Sequence, residues 1–416
     1  MRCFMRFLTS IVMVLLILTI SAVPAHCRIN IIGTWGGVEL DNFLKVCEAS
    51  SVEVSFETTR DLDAIIETRA GGGNLPDAAI IPNPSKVRDL AKRGIIKPLA
   101  FLNKEEMINK YSKKWTDMGC FAGKIYCVFY KVTNKSLIWY NPGQFSALGL
   151  KAPVNWNELV SLSDKISSKG TPAWSIGADI GWPLTDWIEN IIAKNYGGEF
   201  YQSWVDHDIA WTHADIKNAF NIWGQIVDKD RNLYGKRSGT LAETFQKASF
   251  AVFKQPPEAM MYCGADFMGG IISEGVSGLK PGINISFFAF PAAAESKTSP
   301  IVVGADAIVL FRQGAEAEKL VKFLTSAQAH KIWAGRGGFI SHNKDVDLNV
   351  YPDELSKKSA RMVCESDDIV FDASDMMPPA VGNRGGFWDA CKRYLKNPQD
   401  LDKILEDMEK LAKQHY

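Results

Sequence analysis

The chain contains 416 residues, of which 46% are hydrophobic and 23% are charged. These proportions are typical of soluble globular proteins and exclude a disordered chain, a collagen-like repeat and a polytopic membrane protein. Lysine plus arginine and aspartate plus glutamate both total 47, so no charge excess favours nucleic acid or an anionic membrane. The length predicts two domains or one large one, and the charge balance predicts no nucleic-acid partner.

The first 25 residues have the pattern of an export signal. Arg2 and Arg6 precede an apolar run over residues 7–20, which is shorter than the roughly 20 residues that a membrane-spanning helix needs. Small residues follow and end at Ala25, which favours cleavage there by a signal peptidase. The sequence therefore predicts an exported, periplasmic protein, with an uncleaved anchor or acylation at Cys27 as alternatives.

Cleavage after Ala25 leaves seven of the eight cysteines, an odd number, so at least one has no intramolecular partner. Cys120 and Cys127 flank a predicted turn at Ala122-Gly123 and could meet across it. If those two residues form the loop, however, Cys120 faces Ile125 and Cys127 lies two positions away. Buried thiols are the favoured interpretation. No cysteine or histidine spacing is typical of zinc, so we predict no metal and no cofactor.

Strands and helices are predicted to alternate along the first hundred residues of the mature chain. The predicted strands are residues 28–33, 52–57 and 78–81, and the predicted helices are residues 40–49, 61–69 and 86–93. Such alternation indicates βαβ units with mostly parallel strands. Ligands of these sheets bind at the carboxyl ends of the strands, where the loops 33–37 and 82–85 lie.

After about residue 135 the sequence becomes rich in predicted helices. They cover residues 156–168, 183–195, 215–228, 241–248, 315–334, 386–395 and 399–415. Strand-like runs occur at residues 250–253, 285–290 and 301–311. No repeat or linker separates two domains, so we expect the chain to cross between two lobes more than once.

Three tryptophans lie at glycine- or proline-rich junctions before helices. Trp35 lies in Gly33-Thr34-Trp35-Gly36-Gly37, Trp182 is followed by Pro183, and Trp388 follows Gly385-Gly386-Phe387. Sugar rings present apolar C–H faces to aromatic planes and hydroxyls to carboxylates and amides. The pattern favours a sugar site, although core burial is the alternative for each ring taken alone.

No metalloprotease, serine-hydrolase, dinucleotide or phosphate-loop motif occurs in the sequence, so we predict a binding protein without catalytic residues. A secreted glycoside hydrolase is the alternative, because it would need only two carboxylates placed about a sugar site. The sequence alone cannot pair two such groups. A structural or adhesion protein, which would bind no small molecule, is the third class.

Several short motifs carry a resemblance to a known family over nearly the whole mature chain. In order they are Thr59-Arg60-Asp61, Leu75-Pro76-Asp77, Pro82-Asn83-Pro84, Gly123-Lys124-Ile125-Tyr126, Asn134-Lys135-Ser136-Leu137-Ile138-Trp139-Tyr140-Asn141, Gly181-Trp182-Pro183 with Asp186-Trp187-Ile188-Glu189, Gly337-Gly338-Phe339-Ile340-Ser341, Phe371-Asp372-Ala373-Ser374-Asp375 followed by Met377-Pro378, and Phe387-Trp388. In this order the motifs resemble the extracytoplasmic solute-binding proteins of ABC sugar importers. Within them the chain resembles the α-glucoside-binding branch, which is similar to maltose-binding protein.

The resemblance implies an α/β, two-lobed periplasmic-binding-protein fold, in which each lobe is a mostly parallel sheet flanked by helices. Crossover strands near residues 132–135, 289–292 and 341–345 would form the hinge. The implied lobes are residues 26–133 plus 291–342 and residues 134–290 plus 343–416. A monomer that delivers its sugar to the membrane subunits of an ABC transporter is expected.

The resemblance also implies a site between the lobes for an α-glucoside such as maltose, trehalose or sucrose. The implied ligand-binding residues are, from the first lobe, Trp35, Glu39, Arg60, Asp61 and Asn83, and from the second lobe, Asn134, Asp179, Trp182, Asp186 and Trp388, with Asp306 as a further contact on a returning strand.

Overall fold

The structure is a computed structural model that describes residues 28–293, 299–366 and 368–416. The predicted signal peptide, its cleavage site and Cys27 lie outside the described residues. Within those three ranges, no helix combines the length and the apolar composition needed to cross a lipid bilayer.

The strands of the described residues form three sheets. In chain order they are β1 Ile29–Gly33, β2 Val54–Thr58, β3 Ala78–Ile81, β4 Cys120–Phe121, β5 Lys124–Ile125, β6 Cys127–Asn134, β7 Leu137–Tyr140, β8 Met261–Cys263, β9 Ser286–Ala289, β10 Ile301–Leu310 and β11 Ile369–Phe371.

Helices cover these sheets and fill the second half of the chain. They are α1 Gly37–Ser50, α2 Leu62–Gly72, α3 Pro84–Lys92, α4 Lys104–Lys110, α5 Lys113–Met118, α6 Pro142–Ala147, α7 Trp156–Ser167, α8 Trp182–Val205, α9 Ala214–Val227, α10 Lys236–Ala242, α11 Phe245–Ala251, α12 Met268–Gly275, α13 Ala315–Leu324, α14 Ala327–Ala334, α15 Glu354–Cys364, α16 Ala373–Met376, α17 Pro379–Gly382, α18 Phe387–Lys396 and α19 Leu401–His415.

The first lobe is built on a six-stranded sheet in the order β11-β10-β3-β1-β2, with β6 along the other edge of β10. β1 runs parallel to β2 and to β3, so that Ile31 lies opposite both Phe56 and Ala78. The helices α1 and α2 connect these strands, as the alternating pattern predicts. β10 returns antiparallel to both β3 and β6. The predicted α/β class is confirmed.

The second lobe contains a three-stranded sheet in the order β8-β7-β9, and both of its pairings are antiparallel. The expectation of a mostly parallel sheet in each lobe is therefore wrong for this lobe. The chain enters the lobe along β7 and leaves it along β9, so the two strands run in opposite directions. Ile138 points into the larger core of the lobe, and its neighbour Trp139 into a smaller core on the opposite face.

Separate hydrophobic cores define the two lobes. The first core combines residues from 29–132 with residues from 301–371, whereas the second core runs from Ile138 to Ala412. Tyr351 and Val363 lie in the first core, although they follow the predicted boundary at residue 342. They lie there because β11 extends the first sheet by pairing parallel with β10. We therefore propose that the last crossing between the lobes lies near residue 372.

Three local predictions differ from the structure. The helix predicted over 241–248 is divided between the end of α10 and the start of α11. The first half of the strand-like run at 250–253 lies in α11, which begins where the Thr244 hydroxyl accepts a hydrogen bond from the Lys247 N–H at 3.3 Å. The single helix predicted over 315–334 is two helices, α13 and α14, because Ser326 starts a new helix. At Thr244 and at Ser326 a hydroxyl cap outweighs the apolar periodicity.

The hairpin predicted at Ala122-Gly123 is present, and Cys120 lies opposite Ile125 as expected from a two-residue loop. Cys120 and Cys127 are both free thiols, as are the other four cysteines of the described residues. Burial raises the pKa of Cys47 to about 12, so that side chain remains a protonated, apolar group.

Ser326→Ala should lower the free energy of unfolding by about 1 kcal/mol, because the Ala329 N–H loses its side-chain acceptor at 3.2 Å. The matched control is Ser168→Ala, whose exposed hydroxyl donates to the Lys165 carbonyl of its own helix at 2.9 Å and should cost less than about 0.5 kcal/mol. Urea denaturation measures both changes. Equal costs for the two variants would contradict the capping role of Ser326.

Candidate functional site

The two lobes meet along β6 and β10, which carry the chain between them. These strands pair so that Lys131 lies opposite Asp306 and Asn134 lies opposite Val303, with a bulge after Asp306. Lys131 is only 2% exposed and Lys135, directly after β6, is 9% exposed. A buried ammonium group is stable only beside carboxylates, so each lysine organises acidic side chains around it.

Lys131 forms an ion pair with Glu39 of α1. Burial alone lowers the pKa of Lys131, but the negative charges of Glu39, Asp306 and Asp266 outweigh it and raise the pKa above its usual value. The ammonium also lies 5.1 Å from the ring centroid of Phe267, a second-lobe residue. The Lys131 ammonium therefore contacts both a predicted first-lobe carboxylate and a second-lobe aromatic ring.

Trp35 is 2% exposed and packs in the first core, edge-on to Trp333 at 5.0 Å between ring centroids. Phe56 lies parallel to it at 6.3 Å. The expected stacking face of Trp35 is therefore covered by protein. Its indole N–H instead donates to Asp306 Oδ2 at 3.0 Å, so Trp35 orients a carboxylate at the junction of the lobes.

Trp182 and Trp388 lie together at the start of α8. Gly181 has a φ of +113°, and a Cβ there would lie 2.8 Å from the Trp388 Cβ, so glycine permits this close approach. Both tryptophans are half-buried, and Trp182 contacts Phe245 at 5.1 Å between ring centroids. The Trp388 indole N–H has no hydrogen-bond partner among the described residues.

Asp179 is also half-buried near this aromatic pair. Its carboxylate accepts the N–H of Ile180 at 2.8 Å, and its backbone carbonyl accepts from the Lys392 ammonium at 2.9 Å. Asn134 is fully buried, and its backbone N–H donates to Asp266 Oδ1 at 3.0 Å. Asn134 thus positions the second-lobe loop that carries Asp266.

The remaining first-lobe residues differ in their placement. Arg60 and Asp61 are exposed, and Asp61 lies 3.7 Å from the guanidinium of Arg384 in the second lobe. Asn83 is buried and its amide donates to the carboxylate of Asp375. Asp61 and Asn83 therefore each contact a residue that follows the proposed last crossing near residue 372.

Asp186 lies in the interior, at 1% exposure. Its Oδ1 accepts from the Lys135 ammonium at 3.3 Å, and the same ammonium forms an ion pair with Asp372. Lys135 also lies 5.3 Å from the ring centroid of Trp182. Burial raises the pKa of Asp186 to about 7 despite the opposing effect of Lys135.

Among the described residues, Asp186, Glu189 and Asp372 form one group of carboxylates close enough for a metal ion, with ligand atoms within 4.8 Å of one another. All three are buried and the Lys135 ammonium already contacts two of them. This placement suits a structural ion cluster.

Sequence reasoning missed the residues that connect the predicted ones. They are Lys131, Lys135, Asp266, Phe267, Asp375 and Arg384. The sequence did contain a signal for Lys131, because this residue interrupts the apolar run from Cys127 to Val132. A charge inside a buried strand needs a partner. The others depend on contacts between distant parts of the chain.

Aromatic faces and carboxylates from two lobes converge on the strands that join them, which is the architecture of a two-lobed binding protein. The family model described as bacterial extracellular solute-binding protein matches residues 48–331. The chain belongs to this family. Its relatives are described as binding proteins rather than as enzymes.

The osmoprotective compounds-binding protein GgtB of Synechocystis sp. is 33% identical over 368 residues, which cover 87% of this chain and 86% of GgtB. The alpha-glucosides-binding periplasmic protein AglE of Rhizobium meliloti is 28% identical over 391 residues, which cover 90% of this chain and 84% of AglE. The bacterial solute receptor AcbH, a solved structure, matches with a TM-score of 0.81 at 16% identity over 93% of this chain and 98% of AcbH. This last likeness shows the shared two-lobed fold.

The titration of Asp266 should make the free energy of unfolding depend on pH. Burial raises its pKa to about 7, although Lys131 and the Asn134 N–H lower it. The folded protein therefore holds a proton that the unfolded chain releases near pH ~4. Stability should fall as pH rises from about 4 to 7, with this one group contributing at most about 1.4 kcal/mol per pH unit.

Asp266→Asn removes this titration and keeps an acceptor for the Asn134 N–H, so its stability should fall less steeply over the same pH range. Other buried carboxylates titrate in both proteins and cancel in the comparison. Asp402→Asn is the control, because the Asp402 side chain is 72% exposed. Denaturant melts at several pH values measure the slopes, and an unchanged slope in Asp266→Asn would refute this assignment.

Proposed function

We propose that this protein binds a sugar, an α-glucoside such as maltose, trehalose or sucrose, between its two lobes and delivers it to an ABC importer. It does so as an exported, periplasmic monomer, without chemical conversion of the sugar. The observation that carries this proposal is the convergence of first-lobe Glu39, Asp306 and Lys131 with the second-lobe rings of Phe267 and Trp182. AglE, which is described as an alpha-glucosides-binding periplasmic protein, supports the same class of ligand.

Carboxylates and aromatic rings suit the two kinds of surface on a sugar. Hydroxyl groups donate to Asp306, Glu39 or Asp179, whereas the C–H faces pack on half-buried rings such as Trp182 and Trp388. Micromolar affinity needs about −8 kcal/mol. Hydrogen bonds to charged groups contribute about 1.5–3 kcal/mol each, so two or three of them together with stacking are sufficient.

Trp388→Ala should weaken sugar binding at least tenfold, because it removes a ring face and an N–H donor that has no hydrogen-bond partner among the described residues. Trp388→Phe keeps a face and loses the donor, so its affinity should lie between those of the wild type and Trp388→Ala. The control is Tyr126→Ala, a half-buried ring beside the first-lobe hairpin, which should bind normally. Titration calorimetry with maltose, trehalose and sucrose measures all four proteins.

Normal binding by Trp388→Ala would remove that residue from the site. The same titrations test the class of function, since each sugar should be recovered intact after incubation with the wild type. Released monosaccharide in excess of the protein would favour a glycoside hydrolase. Failure to bind any small molecule in a thermal-shift screen would favour a structural or adhesion protein.

Sugar should also draw the lobes together, because a ligand that contacts both lobes stabilises the closed arrangement by its differential affinity. Small-angle scattering of the wild type should show a smaller radius of gyration with a bound sugar than without it. A sugar that calorimetry finds not to bind serves as the control. Tight binding with an unchanged scattering profile would mean that the sugar contacts one lobe only.

A further inference from the structure

Lys135 lies where the three crossings between the lobes meet: the first between β6 and β7, the second at the start of β10, and the proposed third near residue 372. Its backbone N–H donates to the Val302 carbonyl at 2.9 Å, which ties the first crossing to the second. The Asp372 N–H donates to the Val303 carbonyl at 2.8 Å, which ties the third crossing to the second. The Lys135 ammonium then contacts the Asp372 carboxylate and closes the connection between the first and third crossings.

This cluster reaches into both lobes. On the second-lobe side, Asp186 of α8 accepts from Lys135 at 3.3 Å, and Glu189 one turn further accepts the Ala373 N–H at 3.1 Å. Towards the first lobe, the Asp375 carboxylate accepts from the Asn83 amide, and the Asp375 carbonyl accepts from the Ser85 hydroxyl at 2.9 Å.

One acceptor in the cluster is unused. Asp186 Oδ2 is buried without a hydrogen-bond partner among the described residues, while Oδ1 of the same carboxylate is held by Lys135. The ammonium has three donors and is shared between a helix of the second lobe and the third crossing. A change in the distance between these two elements therefore changes the partners of a buried charge.

We propose that Lys135 is a positioning residue of the hinge, which sets the equilibrium between the open and closed arrangements of the lobes without touching the ligand. This inference deepens the proposed function and rests on it for its effect on affinity. The structure has the lobes in contact at Asp61 and Arg384. Loss of the Lys135 contacts frees the crossings to move apart and lowers the closed population.

The contact of Lys135 with the Trp182 ring, at 5.3 Å, links the hinge to the proposed ligand site. A ligand packed on Trp182 therefore favours the arrangement of the lobes in which Lys135 holds both Asp186 and Asp372. The apparent dissociation constant rises as the closed, binding-competent fraction falls.

The test compares two hinge variants with a control of the same chemistry. Lys135→Met removes the ammonium. Asp186→Asn removes one carboxylate from a cluster that has more carboxylates than lysines, so we expect this variant to fold even if Lys135→Met does not. Lys86→Met is the control, because Lys86 is also a buried lysine at 5% exposure but pairs with Glu67 inside the first lobe.

Small-angle scattering of the sugar-free proteins should show a larger radius of gyration for the hinge variants than for the wild type, with Lys86→Met unchanged. Calorimetry should then show affinity reduced at least threefold in the same two variants. A purely structural role would lower the melting temperature of all three and leave the lobe separation unchanged, and that result would overturn the proposal.

The sugar-free measurement separates this inference from the proposed function. If no sugar binds the wild type, the proposed function fails, while the scattering difference still tests the hinge. A folded Asp186→Asn with wild-type scattering and wild-type affinity refutes the hinge role. Reduced affinity with wild-type scattering also refutes it, because Asp186 would then act on the ligand directly.

Discussion

The burial of two ammonium groups, one on the crossing strand β6 and one directly after it, is the constraint on which the arrangement of this protein depends. Transfer of an unpaired charge into a protein interior costs several kcal/mol, so Lys131 and Lys135 both require carboxylates. Those carboxylates come from α1, α8, β10 and the third crossing, which are far apart in the chain. Charge pairing therefore brings together segments of both lobes at the point where the chain passes between them.

Aromatic side chains supply the complementary part of the site, and similar sequence contexts lead to different outcomes. Trp35 and Trp388 both lie near glycines and near the start of a helix, yet Trp35 is buried and Trp388 is half-buried. The difference arises because Trp333, from a helix late in the chain, packs edge-on against Trp35. Trp35 still contributes to the site, through its hydrogen bond to Asp306.

Lys131 and Lys135 differ in their surroundings, and this difference gives them different roles. Lys131 contacts Phe267 and holds residues from both lobes at the junction, whereas Lys135 is surrounded by the backbone hydrogen bonds of the three crossings. A ligand can exchange hydrogen bonds with half-buried groups at low cost, whereas we expect the more deeply buried cluster around Lys135 to respond to movement of the lobes. We therefore expect recognition and closure to be changed by separate substitutions.

Local patterns in the sequence determined most of the elements. The period-2 and helical patterns predicted β1, β3, β10 and the terminal helix close to their observed bounds, because side-chain direction along a strand or helix depends on neighbouring residues. The caps at Thr244 and Ser326 are local signals too, and they correct the elements that periodicity alone misplaced.

Only the tertiary structure decided which charges pair and which rings are covered. With 47 acidic and 47 basic residues, spacing along the chain cannot select Glu39 for Lys131, 92 residues away, or Asp372 for Lys135, 237 residues away. The direction of the second sheet was likewise decided by where the chain enters and leaves the lobe. Electrostatic and packing interactions act through space, so their partners are set by the folded arrangement rather than by local sequence.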